Sequence, residues 1–155
     1  LIIEGGQTEV EGVELQGIAE ASPTPEIAAA LDEAELIVIG PSNPVISIGP
    51  ILAVPGMREM ISAASAPVLA VSPYVAGKVI KGPTDLFMQA IERPTTAAGV
   101  ASLYLIEAMI CDADDPDPPP PDVRSFSTQT LMHSKESRAS VGRAVLKVGR
   151  KLISE

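Results

Sequence analysis

"ELIVIGPSNPVISIGPILAVPGMREMISAASAPVLAVS" spans Glu35 to Ser72. It opens on one continuous apolar run, closes on another, and carries helical periodicity between them. ELIVIG (35–40) and the run from Pro67 to Ser72 have the length and composition of strands covered on both faces. PGMREMISAAS (55–65) predicts a helix, with Pro55 near its start and Met57, Met60, Ile61 and Ala64 facing inward. A strand, a helix and a strand in that order imply a right-handed crossover and parallel pairing. The fold class follows as α/β: a mainly parallel, doubly wound, Rossmann-like sheet with helices on both faces.

Outward from this stretch the pattern continues. VELQGIA (13–19) alternates apolar and polar residues and predicts a strand. SPTPEIAAALDEA (22–34) predicts a helix with Thr24 as N-cap, Pro25 in the first position, and Ile27, Ala30 and Leu31 on one face. PTDLFMQAIE (83–92) and TTAAGVASLYLIEA (95–108) predict two helices divided at Arg93-Pro94. AMICD (108–112) has strand composition, and VRSFSTQ (123–129) reads as extended. From Glu136 onward Val141, Ala144, Val145, Val148 and Leu152 form one helical face. The segment 112–122, DADDPDPPPPD, is acidic and proline-rich; this composition predicts an exposed loop that does not pack.

The chain has 155 residues, 46% of them hydrophobic, enough for one core. No run of eighteen apolar residues occurs, so no membrane span is expected. LIIEGG (1–6) lacks a basic segment and is not expected to be a signal peptide. The single cysteine, Cys111, allows no internal disulfide, and a cytoplasmic setting is the default. The net charge of −9 argues against nonspecific nucleic-acid binding. Six of the eleven basic residues fall between Lys135 and Lys151. Core packing explains that helix better than a membrane or anion patch, because its apolar face is narrow and lacks large aromatics.

In doubly wound sheets ligands bind beyond the carboxyl ends of strands. Two breaker-rich loops are expected there. The first, Gly40–Gly49, places Gly40 and Gly49 where a backbone can approach an anion, and Ser42, Asn43 and Ser47 add neutral hydrogen-bonding groups. A helix N-terminus after it would offer free N–H groups to phosphate. The loop is neither a Walker loop nor GxGxxG, and a rigid surface turn explains it equally well. The second loop carries Lys78 and Lys81, which suit a phosphate, and Thr84 and Asp85, which suit a helix cap. Asp112, Asp114 and Asp115 form a carboxylate cluster of the kind magnesium uses with phosphate oxygens, although a solvated acidic loop explains Asp114 and Asp115. His133, the one histidine, reads as a surface or helix-flanking residue, and Cys111 as a small buried one. No nucleophile elbow or Ser-His-Asp set is visible, so any catalysis here rests on positioning and charge stabilisation.

IVIGPSNPVISIGPIL (37–52), AVPGMRE (53–59) and APVLAVSPYVAGKVIKGPTD (66–85), followed by GVASLYLIEAMICDADD (99–115) and TLM (130–132), together resemble the 2-phospho-L-lactate transferase family of coenzyme F-420 biosynthesis. The resemblance covers about residues 10–150. It implies transfer of a phospholactyl or phosphoenolpyruvyl group from a guanosine diphosphate-linked donor to the deazaflavin precursor Fo, with GMP released and magnesium used. It implies that Gly40, Ser42, Asn43, Ser47 and Gly49 contact the nucleotide or its phosphates, and that Lys78, Lys81 and Asp85 line or support the same cleft. It also implies a homodimer.

Members of that family are roughly twice this length and open with a glycine-rich segment that this sequence lacks. The residues that hold the deazaflavin, and an acidic residue suited to the metal, lie in that first half. Residues 1–155 therefore read as the C-terminal part of a single α/β transferase domain, its sheet incomplete and the part inactive alone. A related family linked to control of gluconeogenesis implies the alternative, a nucleotide-binding regulatory protein without transfer activity. The Ser-Asn-Pro and Lys-Gly-Pro-x-Asp loops favour the transferase.

Overall fold

The computed structural model describes residues 10–117 and 119–155; LIIEGG lies outside them. Four strands form one parallel sheet in the order β1-β2-β5-β6: β1 is Ile37–Ile39, β2 Val68–Val71, β5 Ala108–Asp112 and β6 Arg124–Thr128. A separate antiparallel hairpin joins β3, Tyr74–Val75, to β4, Lys78–Val79. The helices are α1 Pro25–Asp32, α2 Gly49–Ala53, α3 Met57–Ala63, α4 Thr84–Ala90, α5 Ala97–Ala101 and α6 Lys135–Ile153, with a π-helical turn Pro44–Ile48 leading into α2.

The period-2 rule of strands divides the core in two. Leu69 and Val71 of β2 pair in register with Ala108 and Ile110 of β5, and these four pack under Val141 and Val148 of α6. Ala70, Met109 and Cys111 face the other way, onto Val45, Leu52, Phe87, Met88, Val100 and Ala101. Both faces of the sheet are thus covered by helices, as the apolar runs imply. Every residue of β2 and β5 is buried. The face foreseen for α6 is also correct: Val141 and Val148 are buried, with Ala144, Val145 and Leu152 packed beside them.

Several expectations change. Among the described residues β1 lies at one end of the sheet, and it is not covered on both faces as expected, since Val38 is 45% exposed; strand order and cover are tertiary properties that a three-residue apolar run does not encode. VELQGIA forms no strand: Gly17 turns at φ 73 into a short 3-10 helix, Ile18–Glu20. α1 starts at Pro25 after Thr24 as expected, but it buries no residue and the Thr24 side chain makes no cap bond to the backbone. The predicted helix 95–108 stops at Ala101, and Ala108 already belongs to β5. Segment 112–122 packs more than its composition predicts: Asp112 and Pro119 are buried, and the Pro116 ring lies against Gly77 where a Cβ would sit.

Candidate functional site

The first breaker-rich loop is helical. Asn43 explains how. Its Oδ1 accepts hydrogen bonds from the N–H groups of Val45 (2.9 Å) and Ile46 (3.0 Å). Pro44 contributes no N–H, so the first turn leaves little to satisfy. π-Helical turns are rare and concentrate at functional sites. These two N–H groups are capped by Asn43 and are not free for a phosphate. The other end of the same amide, Nδ2, donates to Thr84 Oγ1 at 3.0 Å. One side chain therefore ties the loop after β1 to the start of α4. Thr84 is 1% exposed and spends its hydroxyl on Asn43; Pro83, not Thr84 or Asp85, occupies the N-cap position of α4.

The second loop is a tight hairpin. Ala76 and Gly77 both have positive φ, 50 and 72, as a two-residue primed turn requires. The Tyr74 hydroxyl donates to Asp85 Oδ1 at 2.9 Å, which fixes the hairpin on α4. Burial, with the Asp85 carboxylate beside it, pushes the Tyr74 phenol well above its usual range, so it stays a donor. Below the hairpin lies Asp112, 3% exposed. Its Oδ2 accepts from the N–H (2.8 Å) and hydroxyl (3.0 Å) of Thr130, and its Oδ1 from the N–H groups of Asp114 (3.2 Å) and Ala76 (3.3 Å). Burial works to raise its pKa, and these bonds to the charged form outweigh it and hold the carboxyl below its ordinary value. One carboxylate thus joins β5, the hairpin and the chain leaving β6.

These anchors frame a cavity of about 520 Å³ beyond the carboxyl ends of β1, β2 and β6, where open α/β sheets place ligands. Pro41 and Asn43 line it from the first loop; Ser72, Val79, Ile80, Lys81 and Thr84 from the second; Thr130, Leu131, Met132, His133 and Arg138 from the β6–α6 side. Of the residues expected to contact a ligand, the structure brings together Asn43 and Lys81 here. Asp85 supports from behind through Tyr74. Lys78 is exposed on β4, and Ser42 and Ser47 are exposed without lining the cavity. Gly49 lies on a different, apolar cleft with Val45, Leu52 and Tyr104, and a Cβ there would press on the Pro44 carbonyl at 3.1 Å.

Ser72, Thr130 and Arg138 were missed. His133 flanks α6 as expected but also lines the cavity. The available signal was TLM before the last helix, which places His133 one residue further on. Cys111 is buried and its thiol is pushed up to about 11, mainly by burial, so it carries no thiolate nucleophile at neutral pH.

Magnesium does not fit this lining. No Asp or Glu lines the cavity, both oxygens of Asp112 accept hydrogen bonds, and the described residues hold no cluster of three metal-ligating side chains. No single helix among them is long and apolar enough to cross a membrane.

The family model of 2-phospho-L-lactate transferase CofD matches residues 2–147. The 2-phospho-L-lactate transferase of Methanopyrus kandleri is 32% identical over 154 residues, 96% of this chain and 49% of that protein. The Methanosarcina mazei enzyme of the same name is 38% identical over 71% of this chain and 36% of its own length. The phosphoenolpyruvate transferase of Streptomyces coelicolor is 42% identical over 69% and 34%. This chain thus spans half or less of the length of the curated relatives it matches. Two crystal structures of one Bacillus halodurans protein, described as a member of the upf0052 family, share the fold at TM-scores of 0.57 and 0.52 with 19% identity, covering 92% and 90% of this chain and 52% and 53% of theirs. The match over nearly the whole chain, on top of the parallel sheet and its strand-end cavity, settles the family: the chain belongs to the 2-phospho-L-lactate transferase CofD family.

Proposed function

We propose that this chain forms the nucleotide-side wall of a transferase that moves a phospholactyl or phosphoenolpyruvyl group from a guanosine diphosphate-linked donor to the hydroxyl of Fo. In that reaction the Fo oxygen forms a bond to the phosphorus that bears the acid. The bond from that phosphorus to the bridging oxygen breaks, GMP leaves with the electron pair, and the hydroxyl proton is lost. Such a transfer needs charge neutralisation and alignment more than covalent help. The residues present suit that division of work: Lys81 supplies a cation, Ile80, Leu131 and Met132 supply apolar wall, and burial keeps the Cys111 thiol protonated. Magnesium would supply neutralisation of diphosphate oxygens, and this lining has no carboxylate to hold it.

The observation that carries the reading is the Asn43–Thr84 bond, because it locks the two family-specific loops into one cavity rim. Calorimetric titration of the chain with GDP tests it. Wild-type chain should bind GDP, and Asn43→Ala and Lys81→Gln should each weaken binding about tenfold, the worth of one lost charge-assisted or cap contact. Equal affinity in all three proteins would refute the assignment.

A further inference from the structure

We propose that Arg138 and His133 form a second anion-holding arm of this cavity, acting from a different wall than Lys81 and taking an oxyanion of the donor. The inference rests on the reading of the cavity as the donor site and adds residues which neither loop supplies.

The first argument is the charge distribution. The chain carries 20 acidic and 11 basic residues, so a random lining would favour carboxylates. The cavity instead shows Lys81, Arg138 and His133 and no acid. Secondly, among the described residues Arg138 has no acidic partner, and the one ion pair joins Arg124 to Glu155. An unpaired guanidinium on a cavity wall keeps its forked donors for a planar or tetrahedral oxyanion.

The start of α6 is not itself the anion site. Ser134 Oγ accepts from the Ser137 N–H at 3.1 Å, and Ser137 Oγ accepts from the Ser134 N–H at 2.9 Å, a reciprocal cap. Glu136 is held below its usual range by its own backbone N–H and by Ser134. Most of the N–H groups of the first turn are thus spent, and a carboxylate already stands beside it. An anion on this wall must therefore be held by side chains. Arg138 stands four residues after Ser134, directly over the cap. His133 stands three residues after Thr130, whose N–H and hydroxyl are both fixed on Asp112. The buried anchor thus sets the position of an exposed arm.

The test titrates the chain with inorganic pyrophosphate and, separately, with GDP and guanosine. Arg138 is exposed, so Arg138→Gln should leave the fold intact, which circular dichroism checks. Pyrophosphate and GDP affinity should fall about tenfold or more in Arg138→Gln, recover partly in Arg138→Lys, and fall several-fold in His133→Gln. Guanosine affinity should not change. Pyrophosphate affinity within about twofold of wild type in Arg138→Gln overturns the arm, and GDP binding that still depends on Lys81 would then leave the donor reading standing. Arg138-dependent pyrophosphate binding with no preference for GDP over other nucleoside diphosphates would keep the arm and remove the guanosine-linked donor. Absence of binding to both pyrophosphate and GDP removes both.

Discussion

At the scale of single residues, two carboxylates close in sequence carry opposite signs. Asp112 accepts four hydrogen bonds in the fold, and its pKa lies below the unfolded value despite burial. Its contribution is therefore present above about pH 4, the ordinary carboxylate pKa, and is lost as pH falls through the lowered folded value. Asp112→Asn replaces one acceptor by a donor and strands two of the four partners, a cost of about 2–3 kcal/mol at pH 7. Asp115 is the reverse case. One of its oxygens is buried with no partner among the described residues, and burial raises its pKa, with Asp117 and Asp112 adding to the rise. Its ionised form opposes folding, so the penalty appears as pH rises past the unfolded value. Urea unfolding at pH 7 should find Asp112→Asn destabilised and Asp115→Asn equal to or more stable than wild type. At pH 3 the Asp112→Asn deficit should shrink. A deficit that does not change with pH would mean that the Asp112 carboxyl is not linked to folding.

At the scale of elements, two helical glycines look alike in sequence and differ in what surrounds them. A Cβ on Gly99 of α5 would run into the carbonyl oxygen of Pro94, which is backbone and cannot turn aside. A Cβ on Gly149 of α6 would meet only the Leu36 side chain, which can change rotamer, and alanine favours the helix by about 1 kcal/mol. Thermal unfolding should show Gly99→Ala destabilised by about 3 kcal/mol or more and Gly149→Ala within about 1 kcal/mol of wild type. Similar losses in both would contradict this distinction. The same pair shows what sequence reveals about elements. α6 was legible because its apolar face repeats with helical period along a nineteen-residue element, although its Ser134 cap was not read. α5 was not, since its five-residue length is set by the Pro94 approach and by the chain entering β5. The π-turn was hidden because its breakers, Pro44 and Gly49, also occur in loops; only the Asn43 amide, reaching both Val45 and Thr84, makes them helical. β2 and β5 declared themselves through unbroken apolar runs, yet no local signal told β1 that it would lie at an edge.

At the scale of the whole molecule, the half of the candidate cavity's lining that follows β1 and β2 was readable, because strand-end loops in parallel sheets converge beyond the same ends of the strands. Asn43 and Lys81 belong to it. The other half, Thr130, His133 and Arg138, enters only because β6 pairs in parallel with β5, with Asp112 level with Thr128; that register sits far along the chain from Asn43. The same sheet order has a consequence for association. β1 pairs with β2 on one side, and among the described residues nothing pairs with its other side. Val38 stands on that strand, 45% exposed, and Leu105, 48% exposed, lines a small cleft with Ile39 of the same strand. A free strand edge with exposed apolar residues recruits other strands, and a net charge of −9 opposes close approach only until salt screens it. Sedimentation of the chain should therefore show average mass rising with protein concentration, more steeply at high salt. Val38→Lys places a charge on the edge and should hold the chain near monomer mass at the same concentrations, without loss of GDP affinity, since Val38 does not line the cavity. Association that persists unchanged in Val38→Lys would locate the self-binding surface away from β1.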